Sequence, residues 1–167
     1  EGVTYLHSQG VIHRDLKGAN LLSTKEGQVK LADFGVALKL DMASAIDCVG
    51  SPYWMAPEVI EMKQQQSPAC DIWSIGCTII ELLSGKPPYF QLNPMAAMYH
   101  IVQDPFPPFP EGISEELEDF LRTCLAKNPE ERADAVSLQQ HPWLADALKD
   151  RDQHQAQQQQ QQQQQQQ

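Results

Sequence analysis

The chain has 167 residues, 41% of them hydrophobic, which is enough for one domain with a core and too much for wholesale disorder. With 12 Lys and Arg against 22 Asp and Glu, its net charge is −10. That excludes the basic surface a generic nucleic-acid or anionic-membrane binder needs.

Glu1 lies inside a stretch that reads as a helix, so the N-terminal end is expected to have been cut. Residues 20–23 and 28–32 are two short apolar stretches flanking Lys25, Glu26 and Gly27. They predict a small hairpin with Val29 and Leu31 on one face. After Pro57 the chain reads as helical, broken by prolines. Residues 71–84 carry their polar side chains (Asp71, Ser74, Thr78 and Glu81) in one narrow stripe. A helix apolar around most of its circumference belongs inside a larger domain, and Gly85 with Pro87 and Pro88 ends it. Asn93 followed by Pro94 predicts an N-cap with proline at the first helical position, opening a helix to about Val102. Four prolines between residues 105 and 110 force an extended loop. From Ser114 onward, Leu117, Phe120, Leu121, Cys124 and Leu125 repeat at i, i+3, i+4, i+7 and i+8, an amphipathic helix. Ser114 is its expected N-cap, and Glu115 and Glu116 suit its dipole. The last eleven residues are all glutamine and offer no apolar face to bury. Residues 150–167 are therefore expected to be a disordered tail, leaving residues 1–149 as the folded domain. The fold class is α+β, mainly α: a small hairpin and a helical bundle around one buried helix, with no parallel βαβ pattern.

Cys48, Cys70, Cys77 and Cys124 form no C-x-x-C pair, so neither a zinc site nor a disulfide framework is expected. No signal peptide opens the chain and no apolar run is long enough to span a bilayer. Reduced thiols and a cytoplasmic location, away from membranes and nucleic acid, are the expectation.

The strongest chemical signal is a set of three motifs in order. His13-Arg14-Asp15-Leu16-Lys17-Gly18-Ala19-Asn20 comes first, then Asp33-Phe34-Gly35, then Ala56-Pro57-Glu58. Taken singly, Asp15 and Asp33 read more simply as turn carboxylates and Asn20 as a polar group entering a strand. No structural cause requires all of them together. The set resembles the catalytic loop, magnesium loop and activation-segment end of protein kinases, and the resemblance runs from Glu1 to about Leu148.

The resemblance implies ATP and Mg2+ as cofactors and a protein hydroxyl as substrate. Phosphoryl transfer passes through a loose transition state, so the protein mainly positions groups and neutralises charge. Asp15 would accept the substrate hydroxyl's proton, Lys17 would neutralise the transferred phosphoryl, and Asn20 and Asp33 would hold the metal ions. Lys17 two residues after Asp15 is similar to serine/threonine kinases rather than tyrosine kinases. His13 and Phe34 would pack into the hydrophobic spine, and Leu22 would lie under the adenine. Glu58 would pair with Arg132 to lock the activation segment, and Asp71 would anchor the backbone of the catalytic loop. A bland reading of Asp71 is helix-start electrostatics.

Residues 50–58 (GSPYWMAPE) look like the upstream kinases of MAP kinase cascades. With residues 29–37, 77–83 and His141-Pro142-Trp143, the chain is similar to MAP kinase kinase kinase epsilon of plants and to septation-initiation kinases of fungi. This implies another kinase, or a component of a septation-like pathway, as partner. Three departures stand out. Ser51 occupies a position where relatives usually have Thr, and its hydroxyl can still reach Asp15 and Lys17. Asp47 stands where relatives often carry a phosphorylatable residue. It is either a fixed charge for Arg14 or an ordinary solvated acid; Ser44 and Ser51 are the other candidate hydroxyls. Finally, the chain has no G-x-G-x-x-G, so only the large C-terminal lobe is expected, with little activity alone. A catalytically silent fragment that docks partners through its helical face is the competing reading.

Overall fold

A computed structural model of the chain describes residues 1–25, 27–39, 50–62 and 65–145. Helix α1 (Gly2–Ser8) opens the fold. The chain then turns at Gly10, whose φ of 68° lies in the left-handed region that glycine enters without Cβ strain. Strand β1 (Val11–Ile12) follows, then a 3-10 turn over Gly18–Asn20, then β2 (Leu21–Ser23) and β3 (Val29–Leu31). The predicted hairpin forms, with Leu21 opposite Leu31 and Ser23 opposite Val29. It is not a core element: Leu22 and Val29 are more than half exposed. Strand β4 (Leu38–Lys39) returns antiparallel to β1, pairing Val11 with Lys39. Two residues per strand carry no readable periodicity, so this pairing escapes a sequence reading.

The remainder is helical. A 3-10 turn over Pro52–Trp54 leads into α2 (Pro57–Glu61), followed by α3 (Ala69–Ser84), α4 (Pro94–Gln103), α5 (Glu115–Cys124) and α6 (Ala135–Gln139). Both expected N-caps form: the Asn93 side chain accepts from the Ala96 amide, and Ser114 accepts from the Leu117 amide. Each satisfies an otherwise unpaired helix-start donor.

Helix α3 is the centre of the core. Its Ile72, Trp73 and Cys77 are buried, against Leu117, Phe120, Leu121 and Cys124 of α5 and Ile101 of α4. The five residues whose spacing predicts the apolar face of α5 are all buried. In α3 the polar stripe turns inward. Asp71, Ser74 and Thr78 are buried, whereas Leu82 and Leu83 near its C-terminus are exposed. Apolarity therefore predicted a buried helix but not which side meets the functional loops.

Where α3 and α5 cross, a Cβ on Gly76 would lie 2.8 Å from Leu125 Cγ and 3.0 Å from Cys124 Cβ. Glycine lets the two helices approach this closely. Gly76→Ala overpacks the crossing, and the expected cost is about 1–3 kcal/mol, measured as a lowered urea midpoint with an unchanged slope. Cys70, Cys77 and Cys124 are free and buried; burial pushes the Cys124 thiol up to about 12 and those of Cys70 and Cys77 up as well. Among the described residues no helix is long and apolar enough to cross a membrane.

Candidate active site

The site is built on the loop between β1 and β2. Arg14 has φ of 70° and Asp33 has φ of 60°, conformations that non-glycine residues rarely hold without support. For Arg14 the support is visible. Asp71, fully buried on α3, accepts from the His13 amide (2.9 Å to Oδ2) and the Arg14 amide (2.9 Å to Oδ1). His7 Nε2 of α1 is 2.8 Å from the same Oδ2. A buried carboxylate is tolerated because its oxygens are met by donors, and here those donors shape the loop.

On that loop, Asp15 collects four groups. Its Oδ1 accepts from the Ser51 hydroxyl at 2.8 Å and the Ser51 amide at 3.1 Å. Its Oδ2 lies 3.2 Å from both Lys17 Nζ and Asn20 Nδ2. Lys17 Nζ also donates to Ser51 Oγ at 2.6 Å, and Asn20 Nδ2 donates to the Asp15 carbonyl at 2.8 Å. Asp15, Lys17, Asn20 and Ser51 thus form one hydrogen-bonded network. The segment carrying Ser51 comes this close because residue 50 is glycine. With φ of 127°, a Cβ there would meet the Arg14 carbonyl at 2.7 Å.

Burial pushes the Asp15 carboxyl up, but hydrogen bonds from Ser51, Lys17 and Asn20, together with the Lys17 charge, outweigh it and hold the group below the usual carboxylate range. A depressed folded pKa contributes stability above the unfolded value, and that stability is lost as pH falls through the folded one. Ser51→Ala removes the hydroxyl bond. The Asp15 titration, followed by carboxyl NMR, is expected to move to higher pH; an unmoved titration would contradict this network.

Asp33 is exposed, its Oδ1 accepting from the Gly35 amide at 3.2 Å. It is joined to the loop through its neighbour. The Ala32 amide donates to the Asn20 carbonyl at 2.9 Å, and His13 Nε2 lies 3.1 Å from the Ala32 carbonyl. Among the described residues no group of three or more His, Cys, Asp or Glu side chains gathers as a metal cage. The donors present instead suit a hydrated Mg2+, which takes one or two carboxylates and fills its remaining positions with water and phosphate. Because Asn20 Nδ2 is engaged with Asp15, its Oδ1 is the atom left to meet a cation, and the Asp33 carboxylate is accessible.

The His13 and Phe34 rings lie 5.0 Å apart, with His13 buried and Phe34 about half exposed. Leu22 is also exposed. Glu58 and Arg132 form a bidentate pair at 2.7 and 3.0 Å. Arg14 Nε donates to the Val36 carbonyl at 2.5 Å. Ser44 and Asp47 lie outside the described residues, as does the glutamine tail.

Three contributors have no assigned role in the motif reading: His7, Trp54 and Glu81. Glu81 and Asp71 belong to the stripe at residues 71, 74, 78 and 81. Polar groups on a helix otherwise fit for burial signal polar partners facing them, and that signal was readable.

This fold and loop geometry define a protein kinase domain. The chain belongs to that family: residues 1–144 match the protein kinase domain. It is 58% identical over 151 residues to MAP3K epsilon protein kinase 2 of Arabidopsis thaliana, covering 89% of this chain and 11% of that protein. Cytokinesis protein sepH of Aspergillus niger is 58% identical over 148 residues, covering 89% of this chain and 11% of sepH. Cell division control protein 7 of Schizosaccharomyces pombe is 54% identical over 144 residues, covering 86% and 14%. The chain therefore spans only 11 to 14% of the length of these relatives.

Proposed function

We propose that the chain is the large C-terminal lobe, residues 1–149, of a serine/threonine protein kinase that transfers the γ-phosphoryl of ATP to a protein, followed by a glutamine-rich tail. Its place is in a cascade of the MAP-kinase or septation type, with another kinase or a septation component as substrate. The observation that carries this reading is the network of Asp15, Lys17, Asn20 and Ser51.

ATP with Mg2+ supplies the phosphoryl group and the cationic charge that neutralises it. Asp15 orients the incoming hydroxyl and takes its proton. Lys17, held between Asp15 and Ser51, places its ammonium where negative charge develops. Asn20 and Asp33 are the metal-holding pair. The Lys17–Ser51 contact supports an aliphatic hydroxyl as acceptor.

The chain itself contains no Gly-rich loop, the part that covers the phosphates in this family. Alone it is expected to bind ATP weakly and turn over little. The test uses peptides with Ser, Thr or Tyr as the only acceptor and labelled ATP. The full-length protein is expected to label Ser and Thr peptides and not Tyr, while the 167-residue chain labels none. Strong labelling by the short chain overturns the lobe assignment. A full-length protein that labels nothing favours the silent docking module.

A further inference from the structure

Glu81 sits on α3 behind the catalytic loop. Its Oε2 accepts from two segments at once: the Gly18 amide at 2.8 Å and the Trp54 indole Nε1 at 2.9 Å. Gly18 directly follows Lys17, and Trp54 ends the 3-10 turn that Ser51 caps. The same two segments meet again in front, where Lys17 Nζ donates to Ser51 Oγ at 2.6 Å. The contacts close a ring from Lys17 through Gly18, Glu81, Trp54 and Ser51 back to Lys17. Ser74, on the same polar stripe of α3, donates its hydroxyl to the Trp54 carbonyl at 2.8 Å, fixing the turn at a second point.

We infer that Glu81 is a positioning residue for phosphoryl transfer, a carboxylate tie that sets Lys17 and Ser51 against Asp15 by holding Gly18 and Trp54 on one oxygen. This rests on the kinase reading above. Two features support a specific tie over incidental packing. A Cβ at Gly18 would lie 2.9 Å from Glu81 Oε1 and 3.0 Å from Cδ, so the loop backbone sits directly against the carboxylate, and a side chain at residue 18 would have to displace it. In addition, both donors are N–H groups aimed at one oxygen, and hydrogen bonds to an ionised acceptor are the stronger kind.

The test is made in the full-length protein, with hydrogen exchange and turnover measured on the same samples. Glu81→Ala is expected to speed exchange in peptides covering residues 16–21 and 51–55 and leave the α5 peptide unchanged. It is also expected to lower kcat about tenfold or more with KM for ATP unchanged, since small misplacements of reacting groups cost rate rather than ground-state binding. Glu81→Gln keeps an oxygen able to accept both bonds and is expected to restore the parental exchange and most of the rate. Trp54→Phe removes one donor and is expected to loosen residues 51–55 alone. Parental exchange and kcat in Glu81→Ala, or a Gln variant as impaired as Ala, overturns the tie. If Asp15→Asn keeps parental turnover, the kinase reading is what fails, and the exchange pattern alone then decides the role of Glu81.

Discussion

Asp15→Asn in the full-length protein is expected to lower kcat by about 10²–10⁴, the usual contribution of a positioned general base. An amide cannot take the proton of the acceptor hydroxyl. It also reverses the donor pattern on one side. The Asp15 Oδ1 position, bonded to the Ser51 hydroxyl and amide, survives as the amide oxygen. The Oδ2 position, 3.2 Å from Lys17 Nζ and from Asn20 Nδ2, becomes an NH2 facing two other donors. Lys17 therefore loses its near carboxylate as well. The fold does not depend on this oxygen, because Asn20 still bonds the residue 15 carbonyl. Thermal unfolding should shift little while turnover collapses. Turnover within a few-fold of the parent would remove Asp15 from the reaction.

The largest expected effect on stability is at Arg132. Its side chain is fully buried. Besides the bidentate pair with Glu58, Nη1 donates to the Ala69 carbonyl at 2.7 Å and Nε to the Ala126 carbonyl at 3.0 Å. The guanidinium carbon lies 5.2 Å from the Trp73 ring centre. Arg132→Ala leaves Glu58 as an uncompensated buried charge, and breaking such a pair costs about 3–5 kcal/mol. Replacing both partners by apolar residues (Glu58→Leu with Arg132→Met) removes that charge, so the double variant is expected to be milder than Arg132→Ala. It is not expected to be neutral, since the Ala126 carbonyl loses its donor. Urea unfolding of the two variants checks this, and a double variant worse than the single one would contradict it. Activity is expected to fall with Arg132→Ala too, because Glu58 lies in the first turn of α2, just past the segment that carries Ser51 and Trp54.

The parts of this protein legible in the sequence are those whose physics is local. The caps at Asn93 and Ser114 follow from side chains that reach an amide three residues on. The apolar face of α5 follows from helical periodicity, and the hairpin from two short apolar stretches around a turn. The motif at residues 13–20 was legible for a different reason: it matches a family whose residue types stand at close spacing, and Asp15, Lys17 and Asn20 lie within six residues of one another.

Other features needed the tertiary structure, because they join residues far apart in the chain. The pairing of β1 with β4 leaves no pattern in two-residue strands. The stripe on α3 was visible as a run of polar side chains on an apolar helix, yet its partners were not. Asp71 bonds residues 13 and 14, 58 and 57 positions away, and Glu81 bonds residue 18, 63 positions away. A hydrogen bond is set by distance and direction in space, and nothing in the local order of residues encodes which backbone amide a buried carboxylate will meet. The sequence alone determined the motif at residues 13–20 and the longer helices; only the packing of α3 against that loop decided how its side chains are held.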